Sequence, residues 1–147
     1  MGLLGWSCSG VFRRPPPPDP VRLKAASATF PAEGRGEFRL DLEVPNPKHS
    51  PGKLTGIDWE LWLNNQWFAS GTGILDEDVP PSGGLVQVTL PVAFGRLPTS
   101  SGPVSLKLFV RGNLTARFGG SEGQLAFSGT STIQATNAPV IENAVID

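Results

Sequence analysis

The sequence predicts an all-β domain of about seven strands arranged as a two-sheet sandwich. Three observations carry that reading. Apolar residues recur at every second position through several short segments, and clusters of turn-forming residues separate those segments. No window repeats at the 3.6-residue period of a helix. With 18 glycines and 15 prolines in 147 residues, the chain has the composition of many turns between short strands.

Val21 to Phe30 reads as a first strand, its phase blurred by Ala25-Ala26. Phe38, Leu40, Leu42 and Val44 then alternate strictly with Glu37, Arg39, Asp41 and Glu43, so one face buries apolar groups and the other shows charges to water. Ile57, Trp59, Leu61 and Leu63 repeat the pattern opposite Asp58, Glu60 and Trp62. Asn64-Asn65 tolerates the positive φ of a tight turn, and Trp67, Phe68 and Ala69 run back, so residues 55–72 read as a hairpin. Val86, Val88, Leu90, Val92 and Phe94 form another alternating strand. Pro91 falls on its opposite face and cannot donate to a ladder, which predicts an edge or a bulge. Val104, Leu106, Leu108 and Val110 alternate with Ser105, Lys107, Phe109 and Arg111. Leu125, Phe127 and Ile133 carry the last strand region, with Gly129 weakening its middle. Turn clusters at Pro45–Gly52, Pro80–Gly84, Pro98–Pro103 and Gly119–Gly123 separate these elements. The spacing matches an immunoglobulin/fibronectin type III-like sandwich over residues 21–136, followed by a tail at 137–147.

Residues 1–20 differ in kind. Pro15 to Pro18 favour an extended polyproline II spacer. Ahead of it, Cys8 stands among Gly5, Trp6 and Ser7, and small residues before a tethered thiol resemble the junction of a bacterial lipoprotein. Nothing basic precedes it, and Gly2 to Ser7 is shorter than the apolar stretch of an export signal. Two readings stay open. Either the start lies upstream and Cys8 is lipidated at the cell envelope, or it is an incidental thiol of a cytoplasmic protein.

A formal net charge of −1 and the absence of a basic run exclude a nucleic-acid interface built on counterion release. One cysteine allows no intramolecular disulfide, and one cysteine with one histidine falls short of the sulfur and nitrogen ligands of a tetrahedral zinc site. No cofactor is expected, and a monomer is favoured. No apolar run reaches the roughly 18–20 residues that span a bilayer.

Gly119-Gly120-Ser121-Glu122-Gly123 fits the G-x-S-x-G pattern, but a nucleophile elbow needs a strand leading into a helix, and here both flanks read as strands. The single histidine, His49, lies in a turn. Asp76-Glu77-Asp78 reads as a solvated acidic loop, because consecutive acids lack the alternate spacing of a calcium loop. Trp59 shares the face of Ile57 and Leu61 and reads as core. Trp62 faces the other way, either as an interaction surface or as an edge residue under a loop. No catalytic residue is assigned.

Asn46 lies between Pro45 and Pro47, where the following proline biases its backbone to extended values. Its side chain reads as a structural corner that satisfies backbone groups where pairing stops. The stretch Val44-Pro45-Asn46-Pro47-Lys48, then Gly56-Ile57-Asp58-Trp59-Glu60-Leu61-Trp62-Leu63-Asn64 and Ala69-Ser70-Gly71 resembles the late-embryogenesis-abundant type 2 family, with its WHy (water stress and hypersensitive response) domain. Asn46, Pro47, Gly56, Asp58, Trp59, Leu61, Asn64 and Gly71 carry the resemblance. Lys48 stands where that family has a second asparagine, and Gly95 to Pro103 replaces its helical segment with what reads as a shortened loop. The resemblance implies a non-catalytic desiccation or stress-response protein acting through surface contacts with membranes or client proteins. The alternative is an envelope-tethered module that docks a partner through a strand edge or an exposed aromatic face.

Overall fold

The computed structural model describes residues 21–95 and 97–141, and the leader with Cys8 lies outside them. Seven strands follow in order: β1 (Val21–Ala32), β2 (Arg35–Val44), β3 (Gly52–Leu63), β4 (Gln66–Val79), β5 (Gly84–Ala93), β6 (Val104–Phe118) and β7 (Ser121–Ala135). Among the described residues there is no helix. The alternation drives this outcome: Phe38, Leu40, Leu42 and Val44 of β2 are fully buried, and their charged neighbours face water.

The strands hydrogen-bond in the order β4-β3-β6-β7-β1-β2-β5. Every neighbouring pair is antiparallel except β7 and β1, which run parallel through Val21↔Phe127 and Arg22↔Ser128. The sheet curls until its two edge strands, β4 and β5, lie against each other. The result is a nearly closed, barrel-like sheet, where the sequence led to an expectation of two separate sheets. The reason lies at the junction. A β-carbon on Gly129 of β7 would overlap the side chain of Leu23, so a bare glycine lets β1 come in against β7.

Local devices set the register. Asn64 and Asn65 both take positive φ (51° and 67°), as a two-residue hairpin turn between β3 and β4 requires. Two positions along, Trp62 pairs with Trp67 while Leu61 pairs with Ala69, which leaves Phe68 as the extra residue of a bulge. The bulge turns Phe68 inward, where its ring lies 4.8 Å from Phe94 and 6.4 Å from Phe38. Phe30 closes this cluster edge-on to Phe38 and Phe94. Pro91 sits on edge strand β5 opposite Glu37, so its missing N–H faces no further strand.

The structure corrects the sequence reading in two places. β4 continues past residue 72 through Asp76, Glu77 and Asp78, so the acidic run belongs to a strand and not to a loop. Lys53 on β3 holds it there, 2.7 Å from Asp76 and 3.3 Å from Asp78. From Ser70 to Asp78 only Gly71 and Leu75 are partly covered, which gives no alternation to read. The turn between β6 and β7 is also shorter than expected, and Ser121 is already a strand residue paired with Phe118.

Gly129→Ala is expected to destabilise the fold by about 1–3 kcal/mol through overpacking against Leu23. Gly123→Ala, on the same strand with open space around it, is expected to change stability little. Urea denaturation of the two variants checks the difference.

Candidate functional site

The motif residues divide between one end of the sheet and the β3–β4 hairpin. At the end, Asn46 is the buried polar residue among those described. Its amide nitrogen donates to the carbonyls of Ser50 and Pro80, each at 3.0 Å, and its oxygen accepts from the Lys48 amide at 2.9 Å. Both amide hydrogens are thereby committed within the chain. A backbone bond from Ser82 to Lys48 (2.9 Å) completes the tie between the 45–52 segment and the turn before β5. Pro47 lies exposed beside this corner. An adjoining depression of about 350 Å³ is bordered by Glu43, Pro45, Ser82 and Gly83.

In the hairpin, Trp59 is buried and pairs with Gly71. A β-carbon at Gly71 would stand 2.6 Å from the indole, so the glycine makes room for the ring. Leu61 is fully buried two pairs further on, opposite Ala69. Asn64 uses its turn position to reach two other segments: its Oδ1 accepts from Lys107 N at 2.9 Å and its Nδ2 donates to Ile141 O at 3.1 Å. Asp58 Oδ1 accepts from Asn113 N at 3.2 Å, bonding the outer faces of β3 and β6. Gly56 resumes the ladder after the register shift that begins at Leu54.

The candidate chemistry of the G-x-S-x-G segment does not assemble. His49 Nδ1 lies 3.4 Å from Ser82 Oγ, and Ser121 pairs with Phe118 at a strand start. Among the described residues, no group of three or more His, Cys, Asp or Glu side chains converges as a metal site. Among the same residues, no helix is long and apolar enough to cross a membrane.

What the sequence reading missed lies on the outer face of β3 and β6. Arg111 donates from Nε to Glu60 at 3.0 Å, and its guanidinium carbon stands 5.0 Å from the centre of the Trp62 ring. Phe109 packs on the same indole at 5.3 Å, tilted by 57°. The register Trp62↔Phe109 and Glu60↔Arg111 creates this group. Some 50 residues separate the partners in sequence, so no local pattern announced it. Trp62 is half-buried by these neighbours and not by a loop.

Lys53 has its amino group held above the ordinary lysine value, first by the hydrogen bond to Asp76 and then by that to Asp78. The same bond holds the Asp76 carboxyl below the ordinary carboxylate value. A depressed carboxyl contributes stability above its unfolded pKa, and that contribution disappears as pH falls through the folded value. The groups are exposed, so the effect is small and screened by salt. Lys53→Met is expected to lower stability slightly at neutral pH, with the difference vanishing in acid or in 1 M salt, as thermal melts would show. Asn46→Ala is expected to cost about 1–3 kcal/mol, because the Ser50 and Pro80 carbonyls and the Lys48 amide lose their partner. Asn46→Asp, which cannot donate to those carbonyls when ionised, is expected to be at least as damaging at pH 7 and to recover in part at low pH.

No protein-family profile matches the chain, and no curated protein matches it. Among solved structures, it is similar to the solution structure of AT1g01470 from Arabidopsis thaliana, with a TM-score of 0.60 at 12% identity over 88% of this chain and 87% of that one. A protein from Archaeoglobus fulgidus aligns with a TM-score of 0.48 at 14% identity, over 81% of this chain and 99% of that one. At these identities the first likeness is one of all-β fold, and the second falls below the level that supports an argument.

Proposed function

We propose that this chain is a non-catalytic stress-protective protein that works through many weak surface contacts with membranes or client proteins. The resemblance of residues 44–71 to the WHy domain motivates the reading, and one structural observation supports it. The exposed large apolar side chains Trp67, Ile74, Leu85 and Val140 are spread over three segments of the described surface and do not gather into one patch of sequence. Such a surface suits shallow, low-affinity contact better than one deep site. The domain is apolar enough to fold, so its protective action would come from a folded surface and not from a hydrated coil.

A second reading has its own observation. Three of those four side chains lie on β4 and β5, which meet at the closing seam of the sheet without a ladder between them among the described residues. An unpaired edge with apolar anchors is the template for strand addition by a partner segment. We also read the sheet as two layers, β4-β3-β6-β7 and β1-β2-β5, of the immunoglobulin/fibronectin type III type. The support is that only a two-residue parallel ladder joins them.

Drying or freeze–thawing a labile enzyme with this protein, against an equal mass of an unrelated β-sandwich, tests the first reading. Markedly higher recovery is expected, and equal recovery would remove it. Trp67→Ser with Ile74→Ser separates the readings: protection spread over the surface is expected to fall only slightly, whereas docking through the β4 edge would be lost.

A further inference from the structure

The outer face of β6 and β7 carries a shallow trough of about 400 Å³, with the Trp62–Phe109 pair in the next row of the ladder. Its floor is low because the outward residues of β7 at this level are Ala126 and Ser128. Its sides are taller: Asp58 and Glu60 from β3, Arg111 and Asn113 from β6. The ladders align them in rows, Glu60–Arg111–Ser128 and Asp58–Asn113–Ala126, with Trp62–Phe109–Thr130 as the next row.

Three features define what could bind there. Arg111 is held in place before any ligand arrives, with Glu60 on its Nε and the Trp62 ring against its plane, and that ion pair leaves the two terminal nitrogens outside the bond. Asp58 takes one backbone hydrogen bond through Oδ1 and is otherwise exposed, so it offers acceptor capacity next to that donor. Gly112 and Ala126 supply a low apolar floor between these groups. Two carboxylates face one guanidinium, which disfavours phosphate and other anions. The density of polar groups disfavours a purely apolar ligand, whose docking would strand them.

We propose that this trough binds the sugar ring of an uncharged polysaccharide. A pyranose presents an apolar C–H face and a fringe of hydroxyls that both donate and accept. The bare floor at Gly112 and Ala126 takes the face, Arg111 and Asn113 donate to ring hydroxyls, and Asp58 accepts from them. The volume suits one ring. Thr130 and Gln124 continue the exposed line of β7 on either side, so a polymer can run along the strand. This site is separate from the edge strands and does not depend on the protective reading.

Native gel electrophoresis through embedded dextran, laminarin, galactomannan and hydroxyethylcellulose tests it, with heparin as the charged comparison. Retardation by at least one of the four neutral polymers is expected, unchanged by 0.5 M salt. Arg111→Ala is expected to weaken it about tenfold or more, the loss of one charge-assisted bond. Ser128→Trp, which fills the trough from a solvent-facing strand position and leaves the Arg111 stack in place, is expected to abolish it while the melting curve stays cooperative. No retardation by any of the four, retardation by heparin alone, or retardation that survives Ser128→Trp would each overturn the proposal. Loss of enzyme protection with polysaccharide binding intact would count against the protective reading only.

Discussion

The parallel junction of β7 and β1 is the constraint on which the rest of this architecture depends. A chain of antiparallel hairpins would leave β7 as a free edge and β1-β2-β5 as a separate layer. Here β1 enters beside β7 through two paired positions, and Leu23 lies where any side chain on Gly129 would stand. Close approach at a bare backbone replaces a long ladder. Because β1 is anchored there, β2 and β5 are carried around until β5 meets β4, and the apolar faces of all seven strands close on one core.

The same economy of space recurs in the β3–β4 hairpin. Trp59 is large and buried, and Gly71 across the ladder yields the volume its ring needs. A few residues on, the Phe68 bulge converts a potential solvent-facing aromatic into a fourth member of the Phe30, Phe38 and Phe94 cluster. Asn46 and Asn64 solve the complementary problem of backbone groups at strand ends. Each uses both its amide nitrogen and its oxygen: Asn64 reaches two segments far away in sequence, and Asn46 joins its own turn to the carbonyl of Pro80. The motif thus has a physical account as a set of fold devices, which leaves function to the surfaces those devices hold in place.

Those surfaces differ by strand position. The edges β4 and β5 combine exposed Trp67, Ile74 and Leu85 with a closing seam that has no ladder among the described residues. The broad face of β3, β6 and β7 instead carries an ordered arginine between a carboxylate and an indole. The first is suited to adaptable contact and the second to a ligand with its own pattern of donors and acceptors, because fixing a side chain in advance reduces the ordering cost of binding.

How much could be read without coordinates follows from the range over which each signal acts. Alternation in Phe38–Val44, the Asn64-Asn65 turn and the corner at Asn46 are decided by neighbours a few residues apart, and so they were legible as strands, a hairpin and a structural asparagine. The length of β4 was not legible, because too few positions between Ser70 and Asp78 are covered to set a period. Gly129 read as a weakness when only its propensity was visible, and became a seat for Leu23 once β1 was placed beside it. The Glu60–Arg111–Trp62 group lay equally beyond reach. By itself, the chain determined which side of each strand turns from water, since that depends on local spacing. Only the tertiary structure decided which strands adjoin and which outward side chains meet, since cross-strand register joins residues that no sequence interval connects.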